Sequence, residues 1–169
     1  MRRILADDCY VRLGGVLEMA IYFVRHGEAL AKEVDPNCPL SADGRKEVEC
    51  ISAYLCNLGL TVKRICHSGK MRAKETAEIF AEHIGKVNID ELPGMNPNDS
   101  VIEFAATLEE DSTMYVGHLP HMEKLISYLI TGNEDGRIVK FVNGGVVCIE
   151  KDNAGNHIEW YLIPAICRA

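Results

Sequence analysis

The sequence predicts an α/β fold, a three-layer αβα sandwich around a mixed, mostly parallel sheet. Three observations lead there. From Met19 onward, short apolar segments rich in strand formers alternate with longer segments whose apolar residues recur at helical spacing. Capping residues and glycines fall at the changes of period. Three of the strand segments also end in chemistry-bearing residues, as expected where an open sheet collects a ligand site at its strand C-termini.

Taken in order, Ile21-Tyr22-Phe23-Val24 reads as a buried strand running into Arg25-His26-Gly27. Residues 41–58 form a helix with Val48, Ile51, Leu55 and Leu58 on one face, Ser41 as N-cap and Gly59 as stop. Residues 64–67 are a short strand. Ser68 is then expected to cap a helix whose buried stripe is Ala73, Ala77, Phe80 and Ile84, closed by Gly85. A weaker strand at 87–89 leads through Pro93, Gly94 and Pro97 to a short helix carrying Val101, Phe104, Ala105 and Leu108. Residues 113–116 are a strand ending at Gly117-His118, followed by a helix with Met122, Leu125, Ile126 and Leu129 inward. Three further strands are expected at 137–142, 146–150 and 157–163, with antiparallel pairing. Turns at Asn143-Gly144-Gly145 and at 152–156 separate them.

Residues 1–18 follow neither period, because Arg2, Arg3, Asp7, Asp8, Arg12 and Gly14-Gly15 interrupt the apolar positions. They are read as an N-terminal extension ahead of one domain over 19–169. Met19 stands directly before the first strand and is read as the natural start, with Gly14-Gly15-Val16 as a translated ribosome-binding sequence; an ordered arm is the alternative.

At 169 residues, 47% hydrophobic and 25% charged, the chain has material for a real core. Its net charge of -7 argues against nucleic acid and anionic membranes, which demand a basic face. No apolar stretch is long enough to span a bilayer and no segment has a secretory signal layout, so a cytoplasmic location is expected. Seven cysteines, odd in number and never in a Cys-x-x-Cys pair, point to mostly buried thiols rather than to zinc or disulfides. Lys63, Arg64, Lys70, Arg72 and Lys74 concentrate positive charge in one stretch, which suits a small anionic group; a solvated helix start is the competing reading.

Histidine is both nucleophilic and largely neutral near pH 7, and a neighbouring arginine supplies the fixed, forked cation that a phosphoryl group requires. Arg25-His26, His67-Ser68 with Arg72 beyond, and Gly117-His118 all fall at strand ends, so one crevice can gather them. Arg72 pairing with Glu75 or Glu78, and His118 merely capping its helix, are the structural alternatives. His118 and His121 have an i, i+3 spacing that can bind metal, but no third ligand is placed convincingly, so no metal and no cofactor are expected. His67, His83 and His157 are left as ordinary residues.

The segments Ile21-Tyr22-Phe23-Val24-Arg25-His26-Gly27-Glu28-Ala29, Pro39-Leu40-Ser41 with Gly44, Ser68 with Arg72-Ala73 and Thr76, and Val116-Gly117-His118-Leu119-Pro120 resemble the histidine phosphatase superfamily. Their order and spacing are most similar to its smallest branch, the SixA-type protein phosphohistidine phosphatases. The resemblance implies a phosphoglycerate mutase-like fold. It also implies that His26 takes the phosphoryl group on a ring nitrogen while Arg25, Arg72 and His118 grip the phosphoryl oxygens, with Ser68 as an accessory phosphate contact. Larger members carry a general acid, and none aligns here; Glu91, Asp99, Glu103 and His121 are candidates by location, and Glu28 is not assigned a direct role.

The function this implies is a metal-independent phosphatase acting on phosphohistidine-bearing proteins. A small-molecule phosphomonoesterase or phosphoramidase acting on a small phosphorylated substrate would call for a lid, and few residues are available for one. A non-catalytic phosphate-binding module is the third reading.

Overall fold

In the computed structural model, which describes residues 20–85, 87–109 and 112–167, six strands form one sheet in the order β3-β2-β4-β1-β5-β6. The strands are β1 (Ile21–Arg25), β2 (Arg64–His67), β3 (Asn88–Glu91), β4 (Thr113–Gly117), β5 (Val146–Asp152) and β6 (Gly155–Leu162). Between them run α1 (Ala42–Asn57), α2 (Met71–Ile84), α3 (Val101–Ala105) and α4 (His121–Thr131). β1, β2, β3 and β4 pair in parallel, whereas β5 pairs antiparallel with both β1 and β6. The extension read at 1–18 and the start at Met19 lie outside the described residues.

Alternation along the central strands divides the core into two layers, because successive side chains leave opposite faces of a sheet. Tyr22 and Val24 pack with Val48, Ile51 and Leu55 of α1 and Ala77 and Phe80 of α2. Ile21 and Phe23 pack on the other face with Phe104 of α3 and Met122, Leu125 and Ile126 of α4. Helices therefore cover both faces. The helix after β1 lies on one face and the helix after β4 on the other, so the neighbouring C-termini of β1 and β4 open a crevice at the point where the winding reverses.

Several boundaries differ from the sequence reading. Residues 137–142 form no strand, because their backbone groups are hydrogen-bonded by side chains from elsewhere in the fold. α2 starts at Met71 with Lys70 at its N-cap, and Ser68 does not cap it. β3 begins and ends slightly later than expected, and β6 begins earlier. Cys66 and Cys148 are buried, but Cys38, Cys50, Cys56 and Cys167 are only partly so, which corrects the expectation of mostly buried thiols. Among the described residues no helix is long and apolar enough to cross a membrane.

Candidate active site

The crevice is built by making the backbone after β1 rigid. Arg25 lies opposite Gly117 in the parallel register, and His26 N donates to Gly117 O at 3.1 Å. On the other side Arg25 N donates to Gly145 O at 3.2 Å and Gly144 N returns a bond to Arg25 O at 3.0 Å. The chain then passes so close to α1 that a Cβ on Gly27 would stand 2.7 Å from Val48 Cγ2, and one on Gly44 only 2.1 Å from Glu28 O. Both glycines are therefore required by close approach rather than by backbone angle. Ser41 caps α1 by accepting from Gly44 N at 2.9 Å, and its own N–H donates to Glu28 O at 2.9 Å. Thr76 of α2 completes the frame: its hydroxyl accepts from Gly27 N at 3.1 Å and donates to Arg72 O at 2.7 Å.

His26 Nδ1 lies 2.6 Å from Gly27 O. A carbonyl only accepts, so Nδ1 carries the proton and Nε2 keeps its lone pair. Arg72 Nε donates to that nitrogen at 3.1 Å, which puts a guanidinium against the atom that would attack. Burial lowers the His26 pKa to about 4; the Gly27 carbonyl opposes this, while the charges of Arg72, Arg25 and Lys70 add to it. At pH 7 only about one imidazole in a thousand is then protonated.

His118, at the end of β4, is 1% exposed, and its ring centroid is 4.8 Å from that of His26. The Ser68 hydroxyl sits 2.5 Å from His118 Nε2, so Ser68 supports the second histidine instead of capping α2. Nδ1 of His118 is buried and has no hydrogen-bond partner among the described residues. Burial lowers the His118 pKa to about 2, helped by His26, Arg72, Lys70 and His121. Arg25 donates through Nη1 to Phe141 O at 2.8 Å, and its buried Nε has no partner among the described residues. The arrangement is a lone-pair nitrogen bonded to the Arg72 guanidinium, beside a second imidazole and within electrostatic reach of Arg25, which can receive a tetrahedral oxyanion and attack its centre.

The structure thus brings Arg25, His26, Ser68, Arg72 and His118 together. The alternative ion pairs for Arg72 are taken: Glu75 bonds Arg45 at 2.9 Å and Leu40 N at 2.6 Å, and Glu78 lies 3.9 Å from Lys74. Glu28 extends toward the Ser41 hydroxyl, at 3.4 Å. Among the described residues none of Glu91, Asp99, Glu103 and His121 is hydrogen-bonded to Arg25, His26, Arg72 or His118. Glu91 lies against Gly69, where an added Cβ would meet its Oε1 at 2.4 Å. Asp99 accepts from Asn96 N and Nδ2 and, with Glu103, lines a separate cavity of about 570 Å³ beside Phe104 and Tyr115. His121 is fully buried, edge-on to Phe104 with ring centroids 5.5 Å apart, and neither of its nitrogens has a hydrogen-bond partner among the described residues. Metal-ligating atoms cluster instead at Glu150, His157 and Glu159 of the β5–β6 hairpin, all within 4.8 Å of one another. The Phe141 carbonyl, which holds Arg25, was not anticipated, because any residue supplies a carbonyl and 116 positions separate the two.

The family model described as histidine phosphatase superfamily (branch 1) matches residues 21–97. An uncharacterized protein of Picosynechococcus is 28% identical over 138 residues, which cover 76% of this chain and 83% of that protein. Phosphohistidine phosphatase SixA of Escherichia coli is 24% identical over 155 residues, covering 86% of this chain and 94% of the relative. The solved structure of the protein histidine phosphatase SixA complexed with tungstate superposes with a TM-score of 0.77 at 20% identity, over 89% of this chain and 100% of that one. Over residues 21–97 the chain is thus similar to the histidine phosphatase superfamily, and its fold is that of the SixA structure.

Proposed function

We propose that this protein is a member of the histidine phosphatase superfamily, a phosphohistidine phosphatase that works through a phosphorylated His26 and needs no metal. The observation that carries the reading is the His26 tautomer: Nδ1–H is committed to Gly27 O, and Nε2 presents its lone pair 3.1 Å from Arg72 Nε. In the first step Nε2 attacks phosphorus, and the Nε2–P bond forms as the P–N bond to the substrate imidazole breaks. The departing imidazole takes up a proton. Water then attacks the phosphorylated His26, releasing inorganic phosphate and restoring the neutral ring.

Phosphoryl transfer passes through a loose transition state whose charge spreads over three equatorial oxygens, so positioning and cationic donors do most of the work. Arg25, Arg72 and His118 are the groups that would meet those oxygens, with Ser68 orienting His118. The burial that keeps both imidazoles neutral before substrate arrives also strengthens each contact to the anion. Imidazole leaves readily once protonated, which suits a site where none of the candidate acids is bonded to the central residues. The E. coli relative named for phosphohistidine supports the same substrate class.

The test offers the purified protein a phosphohistidine-bearing protein, free phosphohistidine and a panel of phosphate esters, each with and without chelator. Release of phosphate from the phosphorylated protein, unchanged by chelator, is expected. Turnover confined to esters would establish the phosphomonoesterase reading instead, and phosphate binding without any turnover would establish the non-catalytic one.

A further inference from the structure

Residues 137–142 have strand-like composition, yet side chains bond the backbone groups of the last three. Phe141 N donates to Glu123 Oε1 at 2.8 Å, and Val142 N donates to the Tyr161 hydroxyl at 2.9 Å. The same hydroxyl donates to Lys140 O at 3.1 Å. Phe141 O, between these anchors, accepts Arg25 Nη1 at 2.8 Å. Phe141 is buried with its ring edge-on to Tyr161, centroids 5.6 Å apart, so packing holds the same peptide that the hydrogen bonds hold.

Glu123 and Tyr161 make no hydrogen bond to His26, Arg72 or His118 among the described residues. They come from the first turn of α4 and from the outer strand β6, and their hydrogen bonds reach Arg25 through this segment. Burial disfavours the charged Arg25 guanidinium, while the negative potential of Glu123 and, next, Tyr161 opposes that effect.

We propose that Glu123 and Tyr161 are positioning residues for Arg25: they fix the Phe141 carbonyl that holds one edge of the guanidinium, leaving its other donors, the unpartnered Nε among them, for phosphoryl oxygens. The inference rests on the reading of Arg25 as an oxyanion contact and extends it to residues that never touch substrate. Two features make it specific. Among the described residues the carbonyl accepts from the guanidinium alone, so its direction depends on the two flanking N–H bonds. Glutamine at 123 can still accept from Phe141 N, whereas alanine cannot.

The experiment measures orthovanadate affinity by titration and kcat/KM for phosphohistidine in Glu123→Ala, Glu123→Gln and Tyr161→Phe, each with Arg25 present and in an Arg25→Ala background. With Arg25 present, Glu123→Ala and Tyr161→Phe are expected to weaken vanadate binding about tenfold and to lower kcat/KM, and Glu123→Gln to recover most of the loss. In the Arg25→Ala background the same changes should have less than about a twofold effect, because a residue acting through Arg25 has nothing left to act on. Unchanged affinity with Arg25 present, or a full loss that persists without it, overturns the inference. Should Glu123→Ala fail to fold, Tyr161→Phe, which removes one oxygen, makes the same comparison. A wild-type protein that binds vanadate but releases no phosphate contradicts the proposed function while the affinities still decide this question. A wild type that binds no vanadate overturns the presentation of Arg25 to an oxyanion.

Discussion

Lowering the pH from about 7.5 to about 5 should destabilise the protein, with the two central histidines responsible for much of the loss. His26 is held down at about 4 and His118 at about 2, in both cases chiefly by burial and then by neighbouring positive groups. An unfolded imidazole titrates near 6.5, so across this window the unfolded chain takes up protons that the native chain refuses. Both folded values are depressed for a cationic acid. Stability is therefore fully present above the unfolded value and is lost as pH falls toward the folded one. At about pH 5 the unfolded ring is almost wholly protonated, native His26 only about one-tenth so and native His118 hardly at all, which costs about 2 kcal/mol for each residue. In urea, at about 2 kcal/mol per molar, each contribution lowers the unfolding midpoint by about 1 M. The assay compares wild type with His118→Gln at the two pH values. The variant should lose about 2 kcal/mol less between them, whatever its stability at neutral pH. His67 and His121 are also lowered by burial, but they remain in both proteins and cancel in the comparison. Equal losses in the two proteins would refute the picture of a neutral His118 enclosed by burial and cations.

The other perturbations probe the crevice more locally. Arg72→Ala removes the guanidinium bonded to His26 Nε2 and should lower kcat/KM by about 3 to 4 kcal/mol, a factor of several hundred, with weaker vanadate binding in the same titration. Because His26 is neutral down to about 4, the acid limb of kcat/KM for a chromogenic phosphate ester, corrected for the ester's own ionisation, should fall well below 6.5; a limb at the ordinary histidine value would contradict the buried, neutral nucleophile. Gly44→Ala places a methyl 2.1 Å from the Glu28 carbonyl, a backbone atom that no rotamer change moves. Thermal unfolding should report a loss of about 2 kcal/mol or more, with turnover falling because the displaced loop carries His26.

Much of this arrangement was legible in the sequence because it is local. Short runs of strand-forming residues placed β1 and β4, helical spacing placed α1, α2 and α4, and Ser41 did cap α1. Parallel strands with helices between them must bring the ends of β1, β2 and β4 to one edge, so Arg25, His26, Ser68, Arg72 and His118 meet as the spacing suggested. The departures have one physical origin, which is competition from partners distant in sequence. Ser68 has the chemistry of a cap, but its hydroxyl is taken by His118, 50 residues away. Residues 137–142 have the composition of a strand, but Glu123, Tyr161 and Arg25 bond the backbone that a neighbouring strand would need. The tautomer of His26 was equally hidden, since it is set by the Gly27 carbonyl and not by any residue type.

The central claim is that His26 Nε2 accepts the phosphoryl group, and rapid quench with radiolabelled phosphohistidine protein tests it most directly. Within the first turnover a stoichiometric, acid-labile and base-stable label should appear on the peptide containing His26, and it should be absent from His26→Asn. Phosphate release at full rate with no label on that peptide, or from His26→Asn itself, would contradict the claim.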